Sequence, residues 1–175
     1  MEGMAIMAKM KKVKPAKEET TTLWVVYRQH RSGGDVCAGD EDSDWPSYED
    51  TFIETSFRGV YVGEDRPAEI SWQDDAESFE VPKAGFEKVA RDKVYAVVAR
   101  YGDGDSFSQS NGNIFIGGVF GTYDAAKKEI ASLMAKEKGD YSIPWNGYFS
   151  SLGSIEVEIL PILGQTGPAN PAEDW

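Results

Sequence analysis

VYAVVARYGDGDSFSQSNGNIFIGGVF, residues 94–120, decides the fold. Residues 94–101 (VYAVVARY) are apolar at successive positions rather than at alternate ones. A strand has that pattern when both of its faces are covered, so this one is expected inside a sheet and between layers. Gly102-Asp103-Gly104-Asp105 reads as a tight turn, because two glycines permit positive φ. Asn111-Gly112 reads as a second turn, of the kind that closes two-residue hairpins. The chain then returns as a strand over residues 113–120, with Gly117 and Gly118 marking a bulge or a close backbone approach.

Working outward, a helix is expected next. Thr122 or Asp124 can cap it, and Tyr123, Ala126, Ile130, Leu133 and Met134 share one face. Lys136 and Lys138 suit the negative end of its dipole, and Gly139 supplies the stop. Further on, Ile155, Val157 and Ile159 alternate with Glu156 and Glu158, a strand with one wet face, and Pro161 discourages pairing beyond it. The order is strand, strand, helix, strand.

The first half reads as a looser version of the same unit. Residues 23–30 (LWVVYRQH) form a strand leading into a turn at Ser32-Gly33-Gly34, and residues 52–62 form a second strand. Its end, GVYVGED at 59–65, reads like GVFGTYD at 118–124. Where the second unit has its helix, the first has an acidic, proline-containing stretch and a short candidate helix at 84–91. Either the halves are a duplication, with two similar hairpins in one sheet and the long helix across a face, or common hairpin chemistry arose twice. The expected class is α+β, an antiparallel-rich sheet with one main helix. It forms a single domain over 21–163, preceded by a flexible basic arm (1–20) and followed by an irregular tail (164–175) ending in Trp175.

The 175 residues hold 41% apolar and 12% aromatic residues, enough for a real core, and a net charge of −12. That charge is regional. Residues 35–80 contain fifteen acidic side chains and two basic ones, Arg58 and Arg66, for a net of −13; the segment before carries +4 and the one after −3. Such a field repels nucleic acid and anionic lipid and attracts cations and basic protein surfaces. No apolar run reaches the roughly 18 residues of a membrane span, and the lysine- and methionine-bearing start is not a secretory signal. A lone Cys37 permits no internal disulfide, which fits a reducing cytoplasm.

Five features are candidate sites. Asp40, Asp42 and Asp44 alternate as in the opening of a calcium loop, but Trp45 stands at the glycine position and Thr51 at the bidentate glutamate, so a solvated acidic loop is expected and no metal. The wider segment interleaves carboxylates with aromatic rings, among them Trp45 and Trp72 in polar contexts. An aromatic surrounded by carboxylates can anchor a basic partner, the charges steering its approach. Cys37 with His30 lacks any group to orient the base and sits in a negative field, which favours the thiol. The Arg100 to Asp105 stretch is expected to be a turn whose aspartate bonds its own backbone, without a nucleophile elbow or phosphate loop nearby. The loop Ile143-Pro144-Trp145-Asn146-Gly147-Tyr148-Phe149 is expected to plug one end of the core. One histidine and one cysteine exclude a zinc finger, and the only basic cluster is the N-terminal arm.

The Tyr101-Gly102-Asp103-Gly104-Asp105-Ser106-Phe107 turn, the Gly118-Val119-Phe120 strand end and Pro144-Trp145-Asn146-Gly147-Tyr148-Phe149 together resemble small phage or prophage proteins of unassigned function, over residues 95–159. The resemblance implies a protein of the host cytoplasm that acts by binding, blocking host defence nucleases or regulators, and it carries over no catalytic residues. The expected function is therefore a non-catalytic, acidic protein-binding module, a phage-type inhibitor of a host nucleic-acid-binding or defence protein. Its contact residues are expected to be Asp40, Asp42, Asp44, Trp45, Glu49, Asp50, Asp74 and Asp75, with no cofactor, no direct nucleic acid and no membrane. A virion or assembly component that self-associates is the alternative, followed by a small-ligand-binding protein or enzyme.

Overall fold

The computed structural model describes residues 19–36, 48–83, 86, 92–104, 108–136 and 140–165. Among the described residues are six strands, β1 (Thr20–Val36), β2 (Tyr48–Val62), β3 (Asp75–Pro82), β4 (Lys93–Gly104), β5 (Ser108–Phe120) and β6 (Ser151–Gln165), the helix α1 (Tyr123–Met134) and a 3-10 turn at Pro144–Asn146. The sheet is mixed, with four antiparallel and two short parallel pairings among the described residues.

Two three-stranded leaves, β3-β1-β2 and β6-β4-β5, enclose the main core. Leu23 and Val25 from β1, Val60 from β2, Val81 from β3, Val94, Ala96 and Val98 from β4, Ile116 and Val119 from β5 and Leu160 from β6 meet there. The intervening residues of β4 face the other way. Val97 packs with Ala126 and Leu133 of α1 and with Ile143, so β4 is covered on both sides, as its apolar run requires. Trp145 joins this outer layer edge-on to Phe115, with ring centroids 5.6 Å apart. Ile143 and Trp145 thus plug the core under the helix, whereas Tyr148 and Phe149, expected there too, are exposed.

The leaves share one register. Trp24, Val25 and Val26 pair with Tyr61, Val60 and Gly59, and Tyr27 then skips to Phe57. Tyr95, Ala96 and Val97 pair with Phe120, Val119 and Gly118, and Val98 skips to Ile116. Both bulges fall beside a glycine at strongly positive φ, Gly59 (148°) and Gly118 (154°). The flanking strands match too: Leu23, Val25 and Tyr27 face Phe79, Glu77 and Asp75, as Val94, Ala96 and Val98 face Leu160, Glu158 and Glu156.

Several expectations are corrected. Asn111-Gly112 is no hairpin turn. It is a second bulge within β5, opposite Gly102, and Gly112 at φ 85° lets the β2 backbone pass. Gly33 and Gly34 lie within β1, paired to Thr51 and Asp50, because the close neighbour strand rewards the missing side chain: a Cβ at Gly33 would sit 2.8 Å from the Asp50 carbonyl oxygen. Residues 102–104 likewise remain in β4. Pro161 does not end pairing. The strand leaves β4 at Lys93↔Pro161 and takes up β2 at Val60↔Ile162, so the missing N–H falls where the ladder changes partner.

The helix starts as expected, with Ala125 N–H donating to Thr122 Oγ1, but it stops at Met134. No apolar residue follows on the packed face, and Lys136 instead donates to Ser142 Oγ at 2.9 Å. The acidic segment is more regular than expected, since β2 and β3 occupy much of it. In place of α1, the first half has the irregular stretch 63–74 between its second and third strands. Lys83 and Phe86 are helical; the rest of the short helix expected at 84–91 lies outside the described residues.

Candidate functional site

Along β3, Phe79 and Val81 turn toward the core, and the same alternation continues through Glu77 and Asp75, which are exposed. Along β6, Leu160 and Ile162 turn toward the core, and the alternation continues through Glu158 and the exposed Glu156. Each strand therefore contributes two carboxylates at one end and two apolar side chains at the other. The halves differ in what meets the carboxylates. In the second, Arg100 Nη2 donates to Glu158 at 2.9 Å and Nη1 donates to Glu156. One guanidinium neutralises both acids across neighbouring strands. The register places Gln29 where Arg100 stands, opposite Thr55 as Arg100 is opposite Ile114. Gln29 Nε2 donates to Thr55 Oγ1 at 3.4 Å and brings no charge.

Asp75 and Glu77 consequently make no ion pair among the described residues. Burial pushes the Glu77 carboxyl above its usual range, and the Tyr27 hydroxyl is raised by burial first and then by the charges of Glu77 and Asp75. A raised carboxyl pKa in the fold means that the ionised form weakens the fold above the unfolded value and that this penalty fades as pH falls through the folded one. Glu77→Gln is thus expected to raise the melting temperature modestly at pH 7. The difference from wild type should disappear below the usual carboxylate range, as a pair of melting series against pH would show.

Asp74 has a different role. Its carboxylate is 11% exposed, accepts from Arg28 Nε at 2.7 Å and lies 3.9 Å from Arg58 Nε. It pins the 63–74 stretch to β1 and β2, and Trp24 Nε1 donating to the Gly63 carbonyl pins the other end. Asp74 is therefore an internal anchor, with little surface for a partner. Arg58, one of two basic residues in the acidic segment, is drawn to the same carboxylate. Trp72, next to that anchor, is 90% exposed.

Asp50 is half-buried in β2, paired to Gly34 and Gln109, and Glu49 lies beside it in the same strand. Asp40, Asp42, Asp44, Trp45 and Cys37 lie outside the described residues; His30 is exposed in β1 opposite Glu54. Asp103 Oδ1 accepts from Gly104 N–H at 3.0 Å and from Ser150 Oγ at 2.7 Å, so it ties its own backbone to the start of β6. Glu77 was missed by sequence reasoning. Its signal was available as the Asp-x-Glu spacing shared by β3 and, as Glu-x-Glu, by β6, but recognising it needs the register.

Among the described residues no group of three His, Cys, Asp or Glu side chains is placed to hold a metal ion, and no helix is long and apolar enough to cross a membrane. Compared with protein-family models, with curated proteins and with solved structures, the chain matches none.

Proposed function

We propose that the chain is a non-catalytic protein-binding module that presents the acid-rich first half to a basic surface of another protein. The observation that carries this reading is the pair Asp75 and Glu77, without an ion pair among the described residues, in the positions where the second half holds Glu156 and Glu158 under Arg100. An arginine or lysine from a partner would supply the charge that Gln29 does not. The surrounding net of −13 over residues 35–80 would speed its approach. Trp72 offers a large exposed ring at the rim. The class of partner follows from the field: proteins with strongly basic faces are typically those that bind nucleic acid, and occupying such a face inhibits them. A host defence or regulatory protein of that kind fits the reading best.

The test is affinity capture from a host lysate at low and moderate salt, repeated with Asp75→Asn plus Glu77→Gln. A partner that is retained at low salt, released as salt rises, and captured about tenfold less by the double variant would support the reading. Capture indifferent to both salt and substitution would sink it. Recovery of the chain alone would move the assembly-component reading ahead.

A further inference from the structure

The shared register makes one difference between the halves stand out. In one seam between the leaves, β6 continues past Leu160 and lays Ile162, Gly164 and Gln165 parallel to Val60, Tyr61 and Val62 of β2. The corresponding seam lies between β3 and β5. There β3 ends at Pro82, and beyond Asn111 that edge of β5 has no strand partner among the described residues. The space is a cleft of about 430 Å³, with Phe79, Val81, Pro82 and Phe86 on one side and residues 117–121, at and just past the end of β5, on the other. An unpaired strand edge beside an apolar trough is the arrangement that accepts an added strand, the backbone supplying hydrogen bonds and the trough receiving alternate side chains.

We infer that this cleft takes the chain's own N-terminal segment as an added strand. The class of occupant is read from the filled seam, where an extended apolar segment, Ile162 with Leu163, runs parallel to its neighbour. Its identity follows from where the chain outside the described residues joins them. Thr20 pairs with Pro82, and Lys83 N–H donates to the Glu19 carbonyl at 2.9 Å, so residues 1–18 meet the fold at the rim of the cleft. That segment contains one uninterrupted apolar run, Met4-Ala5-Ile6-Met7-Ala8, followed by lysines at 9, 11, 12, 14 and 17. Ten residues separate the run from Glu19, a reach of roughly 35 Å, ample for it to double back beside β3. Entering from the rim where β5 ends, it would lie parallel to β5, the orientation that β6 has along β2. The lysines would then stand near Glu80 at the cleft and close to a strongly acidic half. Tethering holds the run at a millimolar-range effective concentration, so weak contacts suffice.

Hydrogen exchange on the full chain tests this. In the wild type the amides of residues 117–121 that face the cleft should be protected, at a level independent of protein concentration. In the full-length variant Ile6→Asp with Met7→Asp they should exchange at least tenfold faster, while the amides of Val97 and Val98 keep their protection and show the fold intact. Equal exchange in both proteins would overturn the assignment. So would protection that grows with protein concentration, because the occupant would then be a second copy.

Discussion

Replacing Gly112 by alanine should destabilise the protein by more than ~3 kcal/mol and lower its melting temperature by roughly 6–12 °C. Two causes act together. At φ 85° a side chain strains the backbone, and a Cβ built there would stand 2.1 Å from the Ile53 carbonyl oxygen. That oxygen belongs to β2, immediately beyond the four-residue parallel ladder in which Glu49 to Phe52 pair with Ser108 to Asn111. Relief would have to come from separating β2 and β5, the strands that join the two leaves at that end. Gly164→Ala is the control: its Cβ would meet only the Tyr61 ring at 3.5 Å, an ordinary contact. Urea unfolding of both variants decides the matter. A loss below ~1 kcal/mol at Gly112 would mean that the leaves are not held together there.

Leu133→Ala should cost about 2–5 kcal/mol, because Leu133 is 3% exposed and fills the layer between α1 and the second leaf. Its seat is the bulge itself: a Cβ at Gly117 would come within 2.6 Å of Leu133 Cδ1. This contact makes a sharper claim than the size of the loss. Gly117→Ala should be destabilising in the wild type and nearly tolerated in the Leu133→Ala background, since the shortened side chain vacates the space the new methyl needs. Additive losses from a double-mutant cycle by chemical denaturation would show that the helix does not rest on the bulge.

The register explains why only part of the candidate site was legible in sequence. The GVYVGED and GVFGTYD matches point to equivalent strand ends, and the pairings at Gly59 and Gly118 put them at equivalent places. β3 escaped notice because DAESFEVP is poor in strand formers: its acids and proline are residues that strands disfavour, tolerated there because β3 lies at the edge of its leaf. Without β3, Asp75 could be seen only as one acid among many, and Glu77 not at all. Asp74 and Asp75 are neighbours with the same charge, yet one is held by Arg28 and the other is not, because Asp74 ends the loop and Asp75 opens the strand.

What the sequence alone determined is local and periodic. An unbroken apolar run made β4 a doubly covered strand, Thr122 or Asp124 before a helical stripe bounded the start of α1, and paired glycines marked a bulge or close backbone approach under it. Such features follow from backbone geometry and from water's exclusion of apolar faces, which act on neighbouring residues. What the tertiary structure decided is which distant residues meet. Asn111-Gly112 became a bulge rather than a turn because β2 crosses there, and Pro161 became a change of partner rather than an end because a second strand edge was waiting. Arg100 neutralises Glu156 and Glu158, while Gln29 brings no charge to Asp75 and Glu77, which make no ion pair among the described residues. No local rule contains that contrast, since its charges are brought together by strand register, across separations of more than forty residues.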